Sequence, residues 1–382
     1  MYRKYHINSD WMRIAKQIVS PNQRIFVLGA PDAGKTTFCK FLVDYACASS
    51  LKVALVDADI GQSQIGPPTT IGMKLFEAFK VEGTLQLPFG GYQTTQQNLA
   101  PVNKSDKDVL TTSHAKLTQN ADRLYFIGAL SPIRNLLTVL SGTRLMVDAV
   151  LDTDADVTII DTTGYIHERA AIYLKQSKID LIQPHHIVCI GRSNEFEQIV
   201  GCYRNLSWAT IHYLSPHKSI RTKSRPLRKR NRKNLFKQYF SDSQLQTIPF
   251  EQIRGARTPF FNGRIANQKE LEILSGLTEI EILHAEWGHR SLCLIARRKI
   301  PYTTSNYLKN YLSLSTVSYE RSTYFEQRLV GMLDETGNTV AIGIIENIDF
   351  DKKEFNIRCK SEIAANIKVL QFGDYQFVDK IS

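Results

Sequence analysis

The sequence predicts an α/β fold, with a mainly parallel sheet flanked by helices and a smaller, mainly β C-terminal domain. Two observations carry this. The first is a set of short, nearly continuous apolar runs separated by helical patterns: RIFVLGA (24–30), LKVALVDAD (51–59) and ADVTIIDTTGY (155–165). Strands of that composition are buried on both faces, as in a parallel sheet. The second is a change of pattern after about residue 248, where shorter runs such as EIEILHAEW, SLCLIARR, QRLVGML and TVAIGIIENIDF follow one another. DETGN (334–338) reads as a turn between the last two.

In chain order, residues 1–20 form a lead-in and RIFVLGA the first strand. TTFCKFLVDYACAS (36–49) reads as a helix, since Phe38, Phe41, Leu42 and Tyr45 recur at helical spacing. LKVALVDAD is the second strand. Residues 80–118, rich in Gln, Thr and Asn, read as a polar excursion. Further strands are expected at 122–129, 155–165 and 181–192, with a helix over 133–153. The core domain spans 21–248 and the β domain 249–382.

Composition is that of an ordinary globular chain: 382 residues, 43% hydrophobic and 22% charged, enough for two or three domains. The six cysteines show no C-x-x-C pair and no histidines at ligand spacing. They read as reduced thiols, with neither disulfides nor a zinc site, and a cytoplasmic location is expected. MYRKYHINSDWMRIAKQ lacks the apolar segment of a secretory signal, and no run approaches the ~20 residues of a membrane span. Net charge is +11, and ten Lys/Arg with no Asp or Glu fall between Lys218 and Lys237, leaving about +1 elsewhere. Basicity is therefore local, which points to a phosphate-bearing partner at one place.

The chemistry starts at GAPDAGKTT, which fits G-x-x-x-x-G-K-[ST] between a strand and a helix. Gly29, Ala30, Pro31, Asp32, Ala33, Gly34, Lys35, Thr36 and Thr37 form the expected nucleotide-binding loop, a P-loop. Its glycines let backbone N–H groups curl around phosphate oxygens, Lys35 reaches the β/γ-phosphates, and the Thr36 hydroxyl takes a place on Mg²⁺. The fold expected is thus a P-loop NTPase core binding ATP or GTP with Mg²⁺.

VDADIGQSQ (56–64) ends the second strand with Asp57 and Asp59. Carboxylates there face the crevice at the sheet's C-terminal edge. Asp59 can bind Mg²⁺ or take the proton of an attacking hydroxyl, whereas Asp57 fits a structural role equally well. In IIDTTGYI (159–166), Asp161 offers a second carboxylate beside Mg²⁺. Tyr165 offers either a ring on which a base stacks or a core aromatic under a loop. Asp161-Thr-Thr-Gly164 and Asn103-Lys-Ser-Asp106 mimic the D-x-x-G and N-K-x-D motifs of GTPases. They occur in the wrong order, and the second lies in a polar loop, so the match is accidental.

The basic segment 217–240 reads as a helix from Pro226 onward, anchored by Leu235, Phe236, Tyr239 and Phe240. Arg228 and Arg232 lie one turn apart on it. Two guanidiniums so placed can clamp a γ-phosphoryl group, and the other cations can hold a nucleic-acid backbone.

Together, GAPDAGKTT, VDADIGQSQIGPPTT, YFIGALSPIRN, DTTGYI and the basic segment ending in YF resemble the polynucleotide 5′-hydroxyl kinases. These are the P-loop kinases related to the kinase subunit of the pre-mRNA 3′-end cleavage factor and to the pre-rRNA-processing kinases. The resemblance covers about residues 20–240 and, with only some two dozen residues before the P-loop, looks like the short prokaryotic members. It implies catalytic roles for Lys35, Asp59, Arg228 and Arg232, and Mg²⁺ at Thr36, Asp59 and Asp161. Nucleic-acid contacts are implied at Gln62 of the D-x-G-Q stretch, at Tyr165, and at Lys223 and Arg225 in the lid. Tyr165 stands where the family usually has Trp, and Asp161 where relatives often have Asn.

The expected activity is transfer of the ATP γ-phosphoryl group to the 5′-OH end of RNA or DNA. A regulatory NTPase that hydrolyses the nucleotide is the alternative, and a non-catalytic, ATP-bound nucleic-acid scaffold a third. The dense basic segment separates the first from the second, and the intact Lys35, Thr36 and Asp59 separate it from the third. The expected partner is a nucleic-acid 5′-OH end, with no membrane.

Overall fold

The computed structural model describes residues 9–81, 84–90, 120–216, 222–360 and 364–377. Most of the polar excursion, the N-K-x-D mimic at 103–106 and residues 217–221 of the basic segment lie outside them. The chain divides into two compact units, Met1–Phe236 and Lys237–Ser382.

The first unit opens with α1 (Ser9–Ile18), β1 (Gln23–Gly29), α2 (Lys35–Ala48), β2 (Val53–Ala58) and β3 (Thr70–Phe76). A small ribbon, β4 (Phe79–Val81) with β5 (Thr84–Gln86), precedes β6 (Arg123–Phe126) and α3 (Leu136–Asp148). Then come β7 (Val157–Thr162), α4 (Arg169–Ile182), β8 (His186–Ile190), β9 (Thr210–Leu214) and α5 (Arg225–Tyr239), whose last three residues belong to the second unit.

The strand order β2-β7-β1-β8-β9 is parallel throughout, as apolar strands between helices require. Successive residues of β1 feed opposite faces. Ile25 and Val27 join α1 and α2 in one buried cluster, whereas Phe26 and Leu28 join α3 and α4 in the other. Phe38 and Phe41 of α2 also meet Trp11 of α1, with ring centroids 5.2 and 5.5 Å apart.

Several sequence expectations need correction. β3 was not foreseen: it runs antiparallel to β2, and β6 runs antiparallel to β3, so the parallel pairing stops at β2. β3 also lies under its own approach loop, since a Cβ on Gly72 would come within 2.5 Å of the Ile65 carbonyl oxygen. The expected strand 181–192 begins only at His186, because Leu181 and Ile182 close α4. The lead-in is a helix, α1, docked through Trp11, Ile14, Ala15 and Ile18.

The second unit is mainly β. One sheet carries β10 (Ser243–Pro249), β11 (Arg254–Ala256), β16 (Arg328–Leu333), β17 (Thr339–Asp349), β18 (Glu354–Lys360) and β19 (Val369–Gln376). A second carries β12 (Arg264–Ile265), β13 (Ile282–Gly288), β14 (Ser291–Ala296) and β15 (Thr316–Arg321), with the unforeseen helices α6 (Gln268–Thr278) and α7 (Tyr302–Tyr311). The turn read from DETGN joins β16 to β17. Gly337 has φ +82°, and Asp334 Oδ1 accepts from the amides of Thr336 and Asn338 at 2.9 and 3.0 Å. The core is aromatic, with Phe261 stacked on Phe372 at 5.6 Å.

His186 of β8 and His212 of β9 face each other, ring nitrogens 3.2 Å apart. Burial first, then the neighbouring His212, hold His186 down to about 4 against 6.5 for a free histidine. The unfolded chain therefore takes up a proton before the folded one does. The stability held above pH 6.5 is lost as pH falls toward 4. Denaturant unfolding at pH 7 and 4.5 should show a loss that His186→Leu reduces by about 1–2 kcal/mol, after discounting for partial exposure.

Candidate active site

β1 ends at Gly29, and α2 begins six residues later at Lys35. A Cβ on Gly29 would meet the Ile190 carbonyl oxygen at 2.9 Å, so the strand leaves the sheet where only hydrogen fits. Asp32 (φ +60°) and Gly34 (φ +98°) are both left-handed, which curls the loop so that its amides and the first turn of α2 point one way. Lys35 is buried, and its Nζ donates to the Ala30 carbonyl at 2.9 Å.

Parallel pairing sets Val27 of β1 beside Asp161 of β7. That register brings the Thr36 hydroxyl to 2.6 Å from Asp161 Oδ2. Asp161 Oδ1 is buried and has no hydrogen-bond partner among the described residues. Burial pushes the Asp161 carboxyl up to about 6, against the pull of Lys35 and Thr36. A hydroxyl beside an unsatisfied buried carboxylate oxygen suits a cation that takes its other oxygens from phosphates and water, as Mg²⁺ does. Among the described residues no group of three or more His, Cys, Asp or Glu could hold a metal alone. Beyond Asp161 the chain presses on the P-loop: a Cβ on Gly164 would lie 2.6 Å from the Pro31 nitrogen.

The two carboxylates of β2 have different environments. Asp57 is buried and organises the loop that follows. Its Oδ2 accepts from Ser63 Oγ (3.2 Å) and from the amides of Gln64 and Ile65 (2.5 and 3.1 Å), its Oδ1 from the Asp59 amide (3.1 Å). Burial and the Asp161 charge push it up to about 7. Asp59 is half-buried, and among the described residues only its Oδ1 is used, by the amides of Gly61 and Gln62 at 3.2 and 3.3 Å. The Gln62 side-chain amide donates to the Gly61 carbonyl at 2.8 Å.

The basic segment meets the P-loop through Asp32. Its Oδ2 accepts from the Lys223 amide at 2.9 Å and from Arg228 Nη2. So it is the backbone of Lys223, not its ammonium, that touches the loop. Arg232, one turn beyond Arg228, is half-buried and has no hydrogen-bond partner among the described residues. Arg225 is exposed at the start of α5, and only Phe236 of that helix is fully buried. Tyr165 is half-buried and its hydroxyl donates to Glu168 at 2.7 Å. The Glu168 carboxylate pushes the phenol up to about 12.

The sequence reading missed two residues beside this cluster, Lys175 and Lys178 on α4. Both are fully buried, on the helix face that carries Ala171, Leu174, Ile179 and Ile182. The available signal was lysines at core positions of a helical pattern.

The family described as mRNA cleavage and polyadenylation factor CLP1 P-loop matches residues 29–242. The polyribonucleotide 5′-hydroxyl-kinase of Methanocaldococcus jannaschii is 27% identical over 92% of this chain and 86% of its own length. That of Pyrococcus furiosus is 26% identical over 97% and 92%. A solved Clp1p–Pcf11p complex matches in fold with a TM-score of 0.59 at 10% identity, over 98% of this chain and 80% of the other.

Gly164 is the point where two site loops touch. Gly164→Ala should force the P-loop backbone aside and weaken nucleoside triphosphate binding roughly tenfold or more, leaving the circular dichroism spectrum unchanged. Equilibrium dialysis with a labelled triphosphate checks this.

Proposed function

The chain belongs to the CLP1 P-loop family, and from that premise we propose how its own residues perform the family's reaction. It is a polynucleotide 5′-hydroxyl kinase that uses ATP, and the transfer is assigned to residues 21–248. RNA is the proposed acceptor, as the names of the archaeal relatives suggest.

The observation that carries this reading is the attachment of the basic helix to the P-loop through Arg228 and Asp32. A loop that cradles a triphosphate is thereby joined to the most basic segment of the chain. Hydrolysis alone does not call for that arrangement; a polyanionic acceptor does.

The reaction is an in-line displacement. The acceptor 5′-oxygen bonds to the γ-phosphorus, the bond to the β-bridging oxygen breaks, and ADP leaves with that electron pair. Lys35 holds the β/γ-phosphates. Asp59 orients the 5′-hydroxyl and takes its proton at the oxygen that its own loop leaves unclaimed. Thr36 and Asp161 would hold Mg²⁺, with Asp59 on the acceptor side. When bound, Mg²⁺ would draw charge from the phosphate oxygens. Arg228, fixed at one nitrogen by Asp32, keeps other donors for phosphate, and Arg232 adds a second guanidinium. Tyr165 and Gln62 offer a ring and an amide to the terminal nucleotide, with Lys223 and Arg225 beside its backbone.

Matched 5′-OH RNA and DNA oligonucleotides, with ATP and GTP as donors, test the assignment. Asp59→Asn should lower kcat about 10²-fold or more, with ATP binding changed only a few-fold. Arg232→Ala should likewise lose turnover, roughly 10²-fold or more, rather than ATP affinity. Equal losses of both would mean that Arg232 grips the ground state.

A further inference from the structure

The second unit presents an aromatic surface that the transfer reaction does not use. Helix α7 (Tyr302–Tyr311) buries Ser305 and Leu308, and Leu308 joins Leu292 and Leu294 of β14 in one cluster. Its outer face carries Tyr302, Tyr307 and Tyr311. Among the described residues five aromatic side chains are exposed, and these are three of them. Single exposed rings are ordinary, but three on one ten-residue helix are not scatter. Tyr307 and Tyr311 lie one turn apart and stack on each other, with centroids 5.6 Å apart and planes at 20°. They are nonetheless 49% and 62% exposed, and neither hydroxyl has a hydrogen-bond partner among the described residues. The two rings are thus aligned before anything binds, and their outer faces are open to water.

The charge around this helix has one sign. From Trp287 to Tyr319 the chain carries five Lys/Arg and no Asp or Glu. Among the described residues only Arg297 of these is paired, with Glu281. Arg298 and Lys299 are exposed just before α7 begins. Arg290 is exposed at the tip between β13 and β14. Its carbonyl accepts from the Ser315 amide at 2.7 Å, which sets that tip at the C-terminal end of α7, near Tyr311. Cations therefore stand at both ends of a helix about 15 Å long, with stacked rings between them. A polyanion with unpaired bases matches both features, since phosphates meet the cations and a base extends the stack. A duplex would match only the first.

We propose that α7 is a second contact for single-stranded RNA, in which a base stacks on the Tyr307–Tyr311 pair. Arg290 takes phosphate at one end of the helix, and Arg298 and Lys299 take it at the other. The choice of RNA rests on the kinase reading above, whereas the binding itself involves no transfer step.

The test uses the full chain and fluorescence anisotropy with a labelled single-stranded RNA of about 20 nucleotides, longer than a typical single-strand site, beside a duplex of the same length. Replacing both Tyr307 and Tyr311 by Ala should raise the single-strand Kd about tenfold and leave the duplex Kd within about twofold. Replacing both by Phe keeps the rings and should leave both values within about twofold. Arg290→Gln should lower the slope of log affinity against log salt by about 0.7 for the single strand. With the same RNA as acceptor, the Ala pair should raise its KM and leave kcat and the KM for ATP unchanged. A single-strand Kd within about twofold of wild type in the Ala pair overturns the proposal. So does equal weakening of strand and duplex, or the same loss in the Phe pair. Retained RNA affinity with a shift from dimer to monomer in sedimentation would give this face to a second copy of the chain, and also overturns it. A wild-type protein that shows the expected binding pattern but transfers no phosphate overturns the kinase reading alone.

Discussion

The site depends on one contact, the 2.6 Å hydrogen bond from the Thr36 hydroxyl to Asp161. It exists only if β1 and β7 pair in the register that sets Val27 beside Asp161, and only if α2 starts at the residue before Thr36. Both conditions come from packing far from the chemistry. The register is fixed by apolar strands with α1 and α2 on one face and α3 and α4 on the other. The helix start is fixed by the left-handed Asp32 and Gly34. Gly164 then has to lie against Pro31, where any side chain would collide. A P-loop, a carboxylate and an aromatic from two separate segments are thus delivered to one sheet edge.

That edge is crowded with buried charge. Asp57 and Asp161 are pushed up to about 7 and about 6 chiefly by burial, while Lys175 and Lys178 are pulled down by it. None of these side chains contributes the stability that an apolar one would in its place. The arrangement makes sense as a preorganised field that a triphosphate and its acceptor complete, in which fixed groups meet charge as it develops. Asp32 serves the same end from the other side. Its carboxylate holds Arg228 and the Lys223 amide.

Much of this was legible in the sequence because it is local. The P-loop glycines, the acidic strand ends and the basic helix each announce themselves within a few residues, and the central strands read as unbroken apolar runs. The antiparallel β3 did not, because TIGMKLF (70–76) carries glycine and lysine and lies beneath a loop that only the fold places there. Helix α4 was passed over for a physical reason: Lys175 and Lys178 interrupt its apolar stripe. The Arg228–Asp32 pair joins residues 196 positions apart, and no spacing rule reaches that far. Asp57 could be seen, but its role could not, because a carboxylate that organises its own loop has the same sequence signature as one that binds a ligand.

The central claim is that the phosphate ends on a polynucleotide rather than in water. It is tested most directly by incubating the protein with γ-labelled ATP and a 5′-OH RNA, then digesting the product to 5′-mononucleotides. The account predicts that the label is recovered in the mononucleotide of the 5′-terminal residue. Label recovered only as inorganic phosphate, at a rate indifferent to the RNA, would contradict it.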